Sequence, residues 1–231
     1  MIVDVIIPAY NEEQAIGHVI NDIPKYLVRE IVVVNNNSTD QTASAAVASG
    51  AVVVNAPLRG YGNACIQGLK YLRGKSVIPD IVVFIDGDYS DFPNELDKLL
   101  EPLINNEADF VIGSRKLGQK QAGSMVIQQR FGNWLATSLI WLIFGFRFTD
   151  LGPFRAVMFN KLLELNMQDE TYGWTVEMQI KAVKKKLRIA EVPVDYKKRI
   201  GVSKISGTIK GSFLAGYKII TTILKYSFNS I

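Results

Sequence analysis

The sequence predicts an α/β domain, a mostly parallel β-sheet with helices covering both faces. Two observations lead there. Five short apolar runs rich in Val and Ile recur within the first 115 residues, and a stretch with helical spacing separates each from the next. Runs that are apolar throughout, rather than alternating, suit strands buried on both sides, as parallel strands are.

Ile2–Ile7 is interrupted only by Asp4 and bounded by Pro8, so it reads as the first strand. Asn11 before Glu12-Glu13-Gln14 resembles a capping box, and Ala15, Ile16, Val19, Ile20 and Ile23 then recur at helical spacing. Glu30–Val34 is the second strand. Ser38-Thr39-Asp40-Gln41 opens a helix over Thr42–Ser49 that Gly50 closes. Ala51–Val54 is the third strand, and Gly60–Gly62 leads into a helix near Asn63–Leu72. Asp80–Ile85 is the fourth, Pro93 opens a helix through Ile104 with Asp91 as a candidate cap, and Asp109–Gly113 is the fifth. Beyond Leu117 the pattern is less regular. Helices are expected at Arg130–Gly145, Val176–Lys186 and Gly207–Phe228, an extended segment at Phe154–Phe159 and a strand at Arg188–Val194. No domain boundary is expected in 1–231, which divides into a nucleotide-binding half (1–115) and an acceptor-binding half (116–231).

Composition narrows the function. A chain 48% apolar and 21% charged is neither disordered nor fibrous. One cysteine, Cys65, excludes an internal disulfide framework and fits a reducing compartment, and one histidine, His18, leaves little for zinc or Ser-His chemistry. The N-terminus has no basic leader with a cleavage site, and no apolar stretch reaches the 18 or so residues of a spanning helix. The chain is expected in the cytoplasm. Between Lys181 and Lys225 stand twelve Lys or Arg against Glu191 and Asp195, so the C-terminal fifth is basic and the rest net acidic. That asymmetry suits a polyanionic partner such as an anionic lipid surface, although a solvated helix face around Lys184–Lys186 accounts for part of it.

In open α/β sheets ligands sit beyond the carboxyl ends of the strands. Asp86-Gly87-Asp88 is the strongest signal there, two carboxylates delivered to the exit of a buried strand. Mg²⁺ or Mn²⁺ would compensate them while clamping a diphosphate, whereas a plain Asp-Gly turn is the alternative. Pro8, Tyr10 and Glu12 stand at the first exit, suited to a base and ribose or to a helix cap. Asn35, Asn36 and Asp40 at the second suit a nucleobase edge or a turn. Gly60 and Gly62 allow backbone to lie close to a nucleotide. They follow the third strand and Cys65 takes the last glycine's place, so they make no dinucleotide fingerprint.

Taken together, Pro8–Glu12, Val34–Asp40, Asp86-Gly87-Asp88, Gly113-Ser114-Arg115, Asp150 with Gly152–Arg155, Glu191–Pro193 and Arg199–Lys204 resemble the family 2 glycosyltransferases of the GT-A fold. They are most similar to the branch that glycosylates polyprenyl or dolichyl phosphates. The resemblance implies an inverting transfer of a hexose from UDP-glucose or GDP-mannose, with Asp86 and Asp88 on the metal. It places Pro8, Tyr10, Glu12, Asn36, Asp40, Gly60, Gly62, Asp86 and Gly87 around the nucleotide. Arg115, Arg130, Arg199, Ser203 and Lys204 would hold an acceptor phosphate. Such an acceptor needs no base, because a phosphate monoester with a second pKa of about 6 is already anionic. A soluble hydroxyl acceptor, the alternative, would need a carboxylate, for which Asp150 and Glu177 are candidates. Asn35 and Asn36 replace the usual acids, and Ser90 stands where some relatives place a metal-binding Gln. The basic C-terminal helix with Leu214, Tyr217, Leu224 and Phe228 suits an anionic membrane surface, core packing or a second copy of the chain. A non-catalytic nucleotide- or nucleic-acid-binding module is the remaining reading. The intact acids weigh against the first and the lack of any nucleic-acid motif against the second.

Overall fold

The structure, a computed structural model, describes residues 1–201 and 209–228. Seven strands form a single sheet: β1 (Val3–Ala9), β2 (Glu30–Asn35), β3 (Val52–Asn55), β4 (Ile81–Phe84), β5 (Phe110–Ser114), β6 (Arg155–Met158) and β7 (Ile189–Pro193). Their order across the sheet is β3-β2-β1-β4-β6-β5-β7. All neighbours run parallel except β6, which is antiparallel to both β4 and β5. The six expected strands are present, and the extended segment after Phe154 proves to be the reversed strand.

Side chains alternate between faces along each strand, so each face carries its own core. Val5, Ile7, Val33, Val83 and Val111 pack with α1 (Ile16–Asp22), α2 (Thr42–Ala48) and α4 (Leu96–Ile104). Ile6, Val32, Val34, Phe84, Phe110 and Ile112 pack with α3 (Tyr61–Arg73), α5 (Ile127–Phe144), α6 (Phe159–Leu165), α7 (Trp174–Lys184) and α8 (Ile209–Phe228). The helix α6 has no counterpart in the sequence reading. Among the described residues no helix is long and apolar enough to cross a membrane.

Chain order reverses beside β1, which pairs with β2 on one edge and β4 on the other. That reversal opens a crevice above the strand ends, and it brings the segment after β1 beside the one after β4. Two expected caps act otherwise. Asn11 sits at φ 54° and accepts a hydrogen bond from the Thr39 amide (2.8 Å), which ties the β1 exit to the β2 exit instead of starting α1. Asp91 is buried, and neither carboxyl oxygen has a hydrogen-bond partner. Burial and the nearby Asp86 charge push its pKa well above the ordinary carboxyl value, despite Arg115, so Asp91 is a buried acid beneath the site rather than a helix cap.

Candidate active site

A cleft of about 490 Å³ lies over the strand ends. It gathers Pro8, Tyr10, Glu12, Asn36, Gly60, Asp86, Gly87 and Asp88 with Arg115 and Arg199. Residues from the exits of six strands thus meet in one place. Arg59, at a strand exit the sequence singled out but with no role assigned to it there, lies 4.4 Å from the centre of the Tyr10 ring, a cation–π contact at the same wall.

The Asp86-Gly87-Asp88 turn is charged and incompletely satisfied. Asp86 Oδ1 is buried without a hydrogen-bond partner. Burial first, and then repulsion from Asp88, raises the Asp86 pKa to about 6, while Arg199 and the Tyr61 hydroxyl pull the other way. Asp88 Oδ1 accepts from the Ser90 amide (2.9 Å) and from the Ser90 hydroxyl, and Oδ2 pairs with the Arg199 guanidinium at 2.8 Å. An orphaned carboxylate oxygen beside a second acid fits a hard divalent cation, which takes one or two carboxylates and fills its remaining positions with phosphate and water oxygens. Ser90 therefore orients Asp88.

A second cavity of about 530 Å³ is lined by Lys116, Lys120, Arg130, Asn133, Trp134, Thr137, Thr149 and Asp150. Between it and the cleft stands one ion pair. Arg115 Nε donates to Asp150 Oδ2 and Nη2 to Oδ1, both at 2.7 Å, and the Arg115 amide adds a third bond at 2.9 Å. Burial would raise the Asp150 pKa, but the Arg115 charge and its hydrogen bonds outweigh that and hold the carboxyl below the ordinary range. The expected phosphate-binding set is accordingly divided. Arg115 and Arg199 line the cleft and Arg130 the second cavity, while Ser203 and Lys204 lie outside the described residues. Lys116 directly follows Arg115 at the β5 exit, a position from which the sequence could have supplied it.

Four expected roles change. Glu177 lines neither cavity: fully buried in α7, it pairs with Lys181 (2.7 Å) and accepts from the Tyr226 hydroxyl (2.6 Å) and the Asp169 amide (2.7 Å). It fastens α8 to the core and is not poised as a base. Gly62 sits in the first turn of α3, where its amide donates to Thr171 O (3.2 Å) and an added Cβ would lie 1.8 Å from Asp169 O. Backbone therefore occupies the space expected of a nucleotide. Asn36 reaches the cleft, but its Nδ2 donates to Leu58 O (2.7 Å) and its Oδ1 accepts from the Gly60 amide (2.8 Å), so it staples two loops. Asp40 accepts from the Thr42 amide (3.0 Å) and the Glu13 amide (3.3 Å), outside the cleft lining. Trp174, at the start of α7, packs edge-to-face on Phe84 in the core.

Known proteins share this fold. The model of the family described as Glycosyl transferase family 2 matches residues 4–165. An uncharacterized glycosyltransferase of Mycobacterium tuberculosis is 33% identical over 214 residues, 92% of this chain and 94% of its own. A UDP-N-acetylglucosamine–dolichyl-phosphate N-acetylglucosaminyltransferase of Methanococcus voltae is 29% identical over 82% of this chain and 83% of its own. Among solved structures, the glucosyl-3-phosphoglycerate synthase of Mycobacterium tuberculosis, in complex with Mn²⁺, UDP-glucose and phosphoglyceric acid, superposes with a TM-score of 0.76. That match covers 100% of this chain and 81% of the synthase at 26% identity. The sheet has the GT-A architecture of these glycosyltransferases. With its strand order, its paired acids and a family match over most of its length, the chain belongs to glycosyl transferase family 2.

Proposed function

We propose that the chain transfers a hexose from a nucleoside-diphospho-sugar in the cleft to an acceptor whose phosphate group is held in the second cavity. The arrangement of the two cavities carries this reading. One has the acids for Mg²⁺ or Mn²⁺, and the other has three cations and a single acid, Asp150, that Arg115 already neutralises. The synthase's Mn²⁺ and UDP-glucose support the donor half. Asp86 and Asp88 would hold the ion on the diphosphate, where it offsets charge gathering on the departing nucleoside diphosphate. Tyr10, Glu12 and Arg59 line the part of the cleft suited to the nucleoside.

Two acceptors share the phosphate chemistry. A soluble phosphorylated compound attacking through a hydroxyl has the wider support from the comparisons, since phosphoglyceric acid is bound in the neighbour that matches the whole chain. A polyprenyl phosphate has the support of the dolichyl-phosphate relative and of the site's acids. With Asp150 committed to Arg115 and Glu177 in the core, no proposed base is free to take a hydroxyl proton, whereas a phosphate oxygen attacks unaided and inverts the anomeric carbon. Label transfer from a panel of UDP- and GDP-sugars to phosphoglycerate and to a short-chain polyprenyl phosphate, with Mn²⁺ or EDTA, separates them. Failure to label any phosphorylated acceptor, with donor binding intact, would sink the acceptor half.

Two further results are expected. Arg199 occupies Asp88 as an internal cation, so Arg199→Met should tighten Mn²⁺ binding in the absence of nucleotide by about tenfold, read by the electron paramagnetic resonance of free Mn²⁺. Unchanged or weaker binding would show that Arg199 does not compete for the site. Because the folded pKa of Asp86 is raised to about 6, its contribution to stability is complete below the unfolded value near 4 and is lost as pH rises to about 6. Mn²⁺ should therefore raise the melting temperature more at pH 7.5 than at pH 5, where it must displace a proton. Equal shifts at both pH values would remove Asp86 from the ion's ligands.

A further inference from the structure

Helix α5 is amphipathic in the wrong direction for a helix of a soluble domain. Ile127, Phe131, Trp134, Trp141 and Leu142 fall on one face at 100° per residue, and each is between 54% and 79% exposed. Beside it packs α8, whose Leu214, Tyr217, Leu224 and Phe228 form a second stripe, 46% to 86% exposed. Neither helix contains an Asp or Glu anywhere in its length. Large exposed apolar patches of this kind mark an interaction surface.

We propose that these two stripes dock the chain on an anionic bilayer, with the second cavity opening at the membrane. Three features select that occupant. Arg130, Lys116, Lys120, Arg147 and Lys225 are exposed on or beside the two helices, and the helices offer no acid to answer them, so the complementary charge comes from the partner. Trp and Tyr within such a stripe suit the headgroup level, where an apolar ring body and a polar edge are both satisfied. Trp134 belongs to the stripe and also lines the cavity that holds Arg130, so the apolar face runs into the mouth of the acceptor site. A second copy related by a two-fold axis would instead set these cations against each other and close that mouth. The proposal rests on the acceptor reading in its polyprenyl-phosphate form.

The test reads membrane binding without turnover. The chain has three tryptophans. Trp134 and Trp141 are on the stripe and Trp174 is buried, so intrinsic fluorescence reports the surface directly. Vesicles of equimolar phosphatidylcholine and phosphatidylglycerol should shift the emission to the blue and carry the protein upward in flotation, and phosphatidylcholine alone should do so at least about tenfold more weakly. Ile127→Glu with Leu142→Glu, which leaves both reporters in place, should weaken that binding by about tenfold or more while nucleotide-sugar binding and melting temperature hold. No binding to anionic vesicles, or binding that the double variant leaves unchanged, would overturn the proposal. So would a dimer, seen by sedimentation, that the double variant dissociates. Transfer to short-chain polyprenyl phosphate in detergent is assayed separately, so failure of the acceptor reading shows there and failure of the docking surface shows on vesicles.

Discussion

Asp88→Asn is expected to lower kcat/KM for sugar transfer by about 10³-fold or more, while nucleotide binding measured in EDTA changes little. The substitution keeps the shape of the side chain and an oxygen for the Ser90 amide, so the turn survives. What it removes is one of two charges facing the place where the diphosphate must be held, and with it the partner of Arg199. Asp86 alone then presents a single carboxylate whose charged form burial already disfavours. The loss should appear as weaker Mn²⁺ binding and as a fall in kcat at saturating Mn²⁺, since charge on a leaving diphosphate develops mainly in the transition state. A variant that keeps transfer within about tenfold of the parent would remove Asp88 from the metal site.

Much of this site was legible because each strand ends where its apolar run ends, and the next few residues are polar or glycine. Tyr10, Glu12, Asp86 and Asp88 follow from that rule alone, since a parallel sheet gathers its strand exits on one edge. The strand order was not legible. Arg155–Met158 reads only as extended, and its reversal between β4 and β5 depends on pairing with segments more than forty residues away. Glu177 misled for the same reason. An acid in the first turn of a helix looks available until Tyr226, forty-nine residues later, supplies its hydroxyl, and Lys181 lies at the adjoining helical position. Asp91 likewise reads as a cap, because nothing local reveals that the segment at Tyr196 bridges to it or that it is buried. Arg115 and Asp150 were each found, but their pairing was not. That pairing turns a candidate base into the anchor of a candidate phosphate ligand.

The pairing makes a second large effect predictable. Arg115→Met should lower kcat/KM for a phosphate-bearing acceptor by about 10²- to 10³-fold, and it should destabilise the fold by about 3–5 kcal/mol because Asp150 is left buried and unpaired. Asp150→Asn removes the anchor and leaves the guanidinium, so a positioning role predicts a smaller loss, seen mainly in the acceptor KM. The double variant should then be no worse in activity than Arg115→Met alone, and more stable than it, since no uncompensated charge remains. A base would behave differently. Asp150→Asn would then remove the acidic limb of the kcat profile, and its loss would add to that of Arg115→Met. Stability gives an independent check on the same pair. Asp150 has a depressed folded pKa, so its contribution is present above the ordinary carboxyl range and is lost as pH falls through the folded value. Acid unfolding should consequently show a smaller proton uptake in Asp150→Asn than in the parent. Equal uptake in both, together with additive losses of activity, would return Asp150 to the role of base and favour a hydroxyl acceptor over a phosphate oxygen.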